Sequence, residues 1–152
     1  MSNEIALMRE IAKLQDQIDA LRTIEVGGVW QSYTPVWTAA TTNPSIGNGT
    51  LSGRYCLIGK TVLAAIYVLF GSTTSAGTGA YSFTYPINPD NLNYVVGNWV
   101  VRDIGGSPYV GNVYASSSTF ALYYNNSYVT NGSPFGFAQS DFMRINLFYE
   151  IA

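Results

Sequence analysis

The first part of the chain carries apolar residues in a repeating pattern that predicts an amphipathic helix. The apolar positions recur at alternating spacings of four and three residues, which is a heptad seam with Ile at a and Leu at d. Ser2 or Asn3 can cap the start of this helix, and Gly27-Gly28 can end it. The seam consists of Leu7, Ile11, Leu14, Ile18 and Leu21.

Such a seam has to be covered, either by the rest of the chain or by copies of the same helix. Self-association is favoured, because the other faces of the helix are charged and a Gly-Gly joint separates it from the rest of the chain. About three heptads make only a marginal coiled coil, so the remainder of each chain is expected to associate as well. The a and d residues favour two strands, whereas Ile5, Met8 and Ala12 widen the apolar stripe and favour three. The seam alone leaves dimer and trimer open.

After Gly28 the pattern changes to short apolar or alternating runs separated by Gly, Asn, Ser and Pro. Runs of this kind with turn signals every 8–15 residues predict strands of an antiparallel β-sandwich of the jelly-roll type. The predicted strands are 29–38, 50–58, 61–70, 79–85, 94–102, 109–115, 118–124 and 141–151.

Two of these strands show how the sheet faces its surroundings. In 141–151 the side chains alternate between two faces. One face carries Met143, Ile145, Leu147, Tyr149 and Ile151, and the other carries Phe142, Arg144, Asn146, Phe148 and Glu150. Strand 61–70 is apolar on both faces. A second apolar face predicts contact with another layer or another subunit.

Composition divides the chain at the same point. Residues 1–27 hold the whole net charge of −2, and residues 28–152 hold four acids and four bases. All of the Trp, Tyr and Phe residues lie in the second part. We therefore expect an N-terminal coiled-coil helix over 1–27 and a mainly β head over 28–152.

The same composition argues against several functions. The chain has no histidine and a single cysteine, which removes the commonest general base, the commonest metal ligand and any disulfide within the chain. There is no basic patch for nucleic acid, no apolar run long enough for membrane insertion and no secretion signal. Nucleophilic catalysis lacks a base, and the head has only four carboxylates for glycosidase chemistry. We predict no enzyme, no catalytic residues, no metal and no cofactor.

The stretch SGRYCLIGKTV, 52–62, ends like a nucleotide-binding P-loop, but its spacing fails. The required first glycine would stand at Arg54, and the residues after Thr61 suit a strand better than a helix. The stretch therefore predicts a hairpin with its turn at Gly59-Lys60 and Cys56 as a small buried apolar residue.

Residues 30–62 resemble a module of bacteriophage virion proteins found in tail fibres, tail appendages and head fibres. The similarity lies in Tyr33, Thr34-Pro35-Val36-Trp37-Thr38, Asn43-Pro44, Gly47-Asn48-Gly49-Thr50-Leu51, Gly53-Arg54-Tyr55 and Gly59-Lys60. The closing SDFMRINLFYEIA is similar to the final strand of that module. The resemblance implies a β-sandwich head, usually trimeric, on a helical or fibrous stem, without enzyme activity.

The side chains of the head suit ligand binding better than catalysis. The segment 121–137 places aromatic and amide side chains around a turn, the palette that serves sugar and cell-surface recognition. The alternative is that these tyrosines fill the core or a subunit interface and that the Asn residues only form turns. The candidate ligand-binding residues are Tyr123, Tyr124, Asn125, Asn126, Tyr128 and Asn131.

These observations together predict a homotrimeric phage protein on the virion surface, made in the infected bacterial cytoplasm. In one hypothesis its heads bind a host surface glycan. In the other it decorates the capsid as a head fibre docked through its N-terminal helix. Both hypotheses give it other virion proteins, of the tail or the capsid, as partners.

Overall fold

The computed structural model describes the backbone of residues 2–23 and 28–152 and the side chains of residues 3–19 and 28–152. The predicted helix is confirmed as α1, Ser2–Thr23, with Glu4 in its first turn. A carboxylate there is favourable beside the positive end of the helix dipole. The predicted helix end at Gly27 lies outside the described residues.

The predicted strands are confirmed with small shifts at their ends and two differences. Predicted strand 29–38 is broken at Thr34-Pro35-Val36, since proline has no N–H to donate to a ladder. A short strand at 127–128 had not been predicted. The strands are β1 Gln31–Tyr33, β2 Trp37–Ala39, β3 Thr50–Ile58, β4 Thr61–Leu69, β5 Tyr81–Thr84, β6 Val96–Arg102, β7 Pro108–Ala115, β8 Thr119–Tyr124, β9 Ser127–Tyr128 and β10 Phe142–Glu150. A 3₁₀ turn, Leu92–Tyr94, precedes β6.

All ten strands belong to one antiparallel sheet in the order β1-β3-β4-β10-β6-β7-β8-β5-β2, with β9 paired to β8. The last strand of the chain lies inside the sheet, between β4 and β6. β1 and β2 stand at opposite edges although only Thr34-Pro35-Val36 separates them along the chain. A link this short brings the two edges together, so the sheet curls into a half-barrel.

Aromatic contacts cross the interior of this curled sheet. Tyr85 follows β5 and packs against Tyr149 of β10 with ring centroids 5.3 Å apart, although three strands separate β5 from β10 in the sheet. Trp37 of β2 packs against Phe70 at the end of β4 with centroids 5.6 Å apart. The Tyr149 hydroxyl also donates a 2.6 Å hydrogen bond to the Ile87 carbonyl.

The mainly β, antiparallel class is confirmed, but the arrangement differs from the predicted sandwich. The core is enclosed between two facing sides of one curled sheet, whereas the sequence predicted a core between two separate stacked sheets. The physical reason is that a twisted sheet of ten strands curls on itself, and its inner face can then be buried by its own opposite side.

The predicted hairpin in 52–62 is confirmed. β3 and β4 pair from Thr50↔Leu69 to Ile58↔Thr61, and Gly59-Lys60 forms the turn. Gly59 has φ +60°, a conformation that glycine adopts without strain. Cys56 is buried and unbridged, as predicted, and a Cβ added to Gly28 would lie 2.5 Å from its sulfur. The backbone at Gly28 therefore covers the thiol.

The Gly47-Asn48-Gly49 motif connects the loop before β3 to the loop after β4 through hydrogen bonds. The Asn48 carbonyl oxygen Oδ1 accepts hydrogen bonds from the Thr73 backbone N–H and hydroxyl, each at 2.9 Å. The Asn48 Nδ2 donates to the Ser72 hydroxyl at 3.0 Å. Gly47 has φ +55°. The sequence motif thus joins the entry of β3 to the exit of β4.

Candidate binding surface

The outer face of the sheet, turned away from the core, carries partly exposed apolar side chains. Along β4 the inward side chains are buried, whereas Leu63, Ala65 and Tyr67 on the outer side are only half-buried. The apolar second face that the sequence predicted therefore exists. No second layer covers it within residues 28–152, the part of the head that the structure describes.

A tyrosine cluster, defined as Tyr114, Tyr123 and Tyr128, lies on this face near the β8–β9 hairpin. Tyr123 and Tyr128 are cross-strand partners with ring centroids 5.3 Å apart and planes at 81°. The Tyr114 centroid is 6.0 Å from each of the other two. Tyr128 packs edge-to-face on both other rings, whereas Tyr114 and Tyr123 are tilted by 35°, and these contacts stabilise the rings relative to one another.

The structure separates the six predicted ligand-binding residues. Tyr123 and Tyr128 point outward, but Tyr124 points inward, 6.0 Å from the Trp99 ring and 5.8 Å from the Tyr109 ring. Tyr124 therefore belongs to the packing of the core edge, which agrees with the alternative weighed from the sequence for that residue.

The three asparagines are turn residues. Asn125 and Asn126 form the two-residue β8–β9 turn with φ +50° and +63°, the primed turn geometry that asparagine tolerates. Asn131 Oδ1 accepts a 3.2 Å hydrogen bond from the Phe137 backbone N–H. Asn131 thus holds its own loop together, and Asn125 and Asn126 stay exposed at the hairpin tip.

An amide row, defined as Asn146, Asn98 and Asn112, crosses three neighbouring strands in register. The Asn146 Nδ2 donates to the Asn98 Oδ1 at 3.2 Å. Asparagine is depleted in strands, so three in one exposed row are an unusual use of sheet surface. The row leads from the β4–β10 side towards Tyr123, which stands opposite Asn112.

An arginine groove lies at the other end of this face, between Arg54 of β3 and Arg144 of β10. It is an open groove of about 610 Å³ lined by Ser32, Ser52, Arg54, Tyr67, Arg144 and Asn146. The Arg54 guanidinium stands 4.6 Å from the Trp30 ring centroid, and that of Arg144 stands 4.7 Å from the Phe142 ring centroid.

Three features of this face were not predicted from the sequence: Trp30, Tyr114 and the pairing of the two arginines. The alternation in 141–151 did place Arg144 and Asn146 on one face. The strand register determines which strands lie beside Arg144 and Asn146, so no local sequence pattern could have predicted the groove.

Two of the four carboxylates of the head hold backbone groups of nearby loops. The buried Asp141 accepts hydrogen bonds from the backbone N–H groups of Ile104 and Ala138 at 2.9 and 2.7 Å. Asp103 accepts one from the Gly105 N–H at 3.0 Å. Among the described residues, no three or more His, Cys, Asp or Glu side chains come together as metal ligands.

The helix seam is exposed wherever its side chains are described. Leu7, Ile11 and Leu14 are each more than half exposed and Ile18 is 44% exposed, so the sheet does not cover them. The side chain of Leu21 lies outside the described residues. None of the helical segments that the structure describes combines the length and the apolar character of a membrane span.

The chain is 26% identical over 124 residues to the Mu-like prophage FluMu defective tail fiber protein of Haemophilus influenzae. The match covers 78% of this chain and 20% of that relative, so the chain spans about a fifth of the relative's length. No family model and no solved structure matches the sequence.

Proposed function

We propose that this protein is a trimeric component of a bacteriophage fibre whose β-rich heads bind the host cell surface. The observation that carries the proposal is the similarity to a tail fibre protein over most of the chain. That similarity favours a place on the tail over decoration of the capsid.

The exposed helix seam supports self-association. Three described seam residues, Leu7, Ile11 and Leu14, each expose more than half of their surface, which is unfavourable for an isolated helix in water. Pairing of seams from several chains removes that surface from water and gives a short stem. We assign three chains on the strength of the family resemblance and the wide apolar stripe. Light scattering on the purified protein tests this: a trimer mass is expected, and a dimer mass would overturn the assignment.

The outer face of the head supports adhesion rather than catalysis. It offers exposed tyrosine rings, a row of amides and two guanidiniums, which are groups that bind polar ligands without reacting with them. Three heads on one stem present three copies of this face. Weak individual sites then add up, because each binding event raises the effective concentration of the others.

Labelling of intact particles tests the location. An antibody raised against residues 28–152 and viewed by electron microscopy is expected to mark the tail fibres. Label spread over the capsid would contradict the fibre proposal and make the protein a head fibre or decoration protein held by its N-terminal helix.

Competition for adsorption tests host binding. The purified chain, incubated with host cells before the phage is added, is expected to slow adsorption in proportion to its concentration. Unchanged adsorption at saturating protein would show that the heads do not occupy the receptor. The same cells serve as a check on enzyme activity, because binding without release of sugar separates an adhesin from a depolymerase.

A further inference from the structure

We propose that the arginine groove binds a carboxylate or phosphate group of a surface saccharide, an inference that rests on the proposed host-binding function. The proposed ligand is an acidic glycan, recognised through its oxyanion by Arg54 and Arg144 and through its hydroxyls by the polar side chains between them.

The first argument is charge. The ion pair formed among the described residues joins Lys13 to Glu10 in the helix, so neither Arg54 nor Arg144 is neutralised by a described carboxylate. Glu150 shares a strand and a face with Arg144, but it is six residues away, roughly 20 Å along the strand. The groove thus concentrates two of the four positive charges of a head whose net charge is zero.

The second argument is position. Arg54 lies opposite Ala65 and Ala65 lies opposite Asn146, while Ser52, Tyr67 and Arg144 form the next row. Arg54 and Arg144 are separated by two strand spacings across the sheet and by two residues along the strands. Their Cα atoms therefore lie roughly 12 Å apart. Long side chains from that separation can converge on one charged sugar, and the small Ala65 leaves room above the sheet between them.

The third argument is preorganisation. Each guanidinium is already held against an aromatic ring, Arg54 by Trp30 and Arg144 by Phe142 with Tyr67 at 5.9 Å. Stacking on a ring face leaves the N–H groups at the guanidinium edge free for a planar oxyanion. Because the side chains are already restrained, binding costs less conformational entropy.

The fourth argument is the unused hydrogen-bonding capacity of the groove. The hydroxyls of Ser32, Ser52 and Tyr67 make no hydrogen bond to any residue that the structure describes, and they face the same groove as both arginines. Sugar hydroxyls both donate and accept, so they match these groups. A nucleic acid is a poorer fit, because a phosphate backbone needs a longer basic track than two arginines supply.

Binding of defined oligosaccharides to the purified full chain tests the proposal. The probes are alginate oligosaccharides, which carry carboxylates, phosphorylated dextran oligosaccharides and unmodified dextran. We expect binding to at least one acidic probe, weakened by raising the salt concentration, and no comparable binding to unmodified dextran. The acidic probe that binds identifies the oxyanion. Binding to neither acidic probe, or equal binding to unmodified dextran, would overturn the proposal.

Variants locate the site. Arg54→Gln and Arg144→Gln are each expected to weaken binding about tenfold or more, the usual effect of losing a charge-assisted hydrogen bond. Arg54→Lys keeps the charge and is expected to restore part of the affinity. Lys60→Gln removes the same charge from the β3–β4 turn and serves as the matched control. Wild-type affinity in both arginine variants would place the ligand elsewhere and overturn the assignment of the groove.

Two further measurements separate the other outcomes. Light scattering is expected to give the same mass for the arginine variants as for the wild type, and a lower mass would show that the groove is an interface between copies. The arginine variants could fail to bind the acidic oligosaccharides and still slow phage adsorption as well as the wild type does. That result would support host binding and overturn the acidic-glycan inference. If the wild type itself does not slow adsorption, the host-binding proposal fails on its own.

Discussion

The carboxylate of Asp141 lies 2.7 Å from the backbone nitrogen of Ala138, and this contact fastens the loop that leads into the central strand β10. Its other oxygen accepts the Ile104 N–H at 2.9 Å, so one side chain ties this loop to the residues after β6. Asp141 is only 1% exposed. The entry to β10 is thus held by a buried carboxyl group whose two oxygens each accept a hydrogen bond from a backbone amide.

Asp141→Ala is expected to destabilise the head by about 3 kcal/mol, because two buried N–H groups lose their acceptor. Asp141→Asn keeps one carbonyl acceptor and should cost about half as much. Urea unfolding followed by tryptophan fluorescence measures the change, with the exposed Asp90→Ala as the control. A midpoint for Asp141→Ala equal to that of the control would contradict the role given to this carboxylate.

Gly111 of β7 is expected to tolerate no side chain. A Cβ at this position would meet the Tyr123 carbonyl oxygen and the buried ring of Trp99, neither of which can move aside easily. Gly111→Ala should therefore cost about 1–3 kcal/mol, the usual penalty of overpacking. Gly136→Ala is the matched control, because nothing lies within 4 Å of its added Cβ. Equal thermal midpoints for the two variants would show that the sheet relaxes around the clash.

Local sequence patterns predicted the helix, strands and turns, whereas the order of the strands and the curling of the sheet depend on which strands pair. The alternation in β10, the Gly59-Lys60 turn and the heptad spacing of α1 depend on neighbours along the chain, so the sequence was sufficient for them. The single curled sheet depends on β1 and β2 reaching opposite edges, which no local signal encodes.

The binding surface was partly predictable for the same reason. Tyr123 and Tyr128 lie in one hairpin and were found, whereas Tyr114 joins them only through the β7–β8 pairing. Tyr124 was grouped with its neighbours although alternation turns it inward. Trp30 and Arg54 are far apart in sequence and meet because β1 pairs with β3.

Alkaline pH is expected to destabilise the head through its buried tyrosines. Burial raises the pKa of Tyr33, Tyr81, Tyr85 and Tyr149, and for Tyr85 to about 12 from an ordinary value of 10.0. The folded state then holds these protons more tightly than the unfolded chain does. Their contribution to stability is complete below about pH 10 and is lost as the pH rises towards 12. Urea midpoints measured from neutral pH to about pH 11.5 should stay level at first and then fall.

Tyr85→Phe gives the alkaline prediction its control. The Tyr85 hydroxyl is buried beside the Ser116 backbone but makes no hydrogen bond of ordinary geometry within the described residues, so its removal should cost little stability at neutral pH. The variant should also lose less stability than the wild type between about pH 10 and pH 12. An equally steep loss in the variant would show that Tyr85 does not contribute.

The helix seam is expected to control the oligomeric state. Leu14→Gln places an amide at a d position that is 52% exposed in the single chain, and it should shift the protein to lower mass at micromolar concentration. Asp16→Gln puts the same side chain on another face of α1 and should leave the mass unchanged. Sedimentation or light scattering distinguishes the two. An unchanged oligomer in Leu14→Gln would indicate that the heads associate by themselves and leave the helix free to dock on another virion protein.

Tyr128 and Tyr124, which lie on opposite faces of the β8–β9 hairpin, are expected to respond differently to substitution by alanine. Tyr128 is exposed on the outer face, so Tyr128→Ala should weaken glycan or host-cell binding several-fold with less than about 1 kcal/mol lost in stability. Tyr124 packs between Trp99 and Tyr109, so Tyr124→Ala should cost about 2 kcal/mol and leave binding by the folded protein unchanged. Adsorption competition and thermal melts on the same preparations separate the two effects. If Tyr128→Ala slows adsorption as well as the wild type does, the tyrosine cluster is surface packing, and the ligand lies on another part of the outer face.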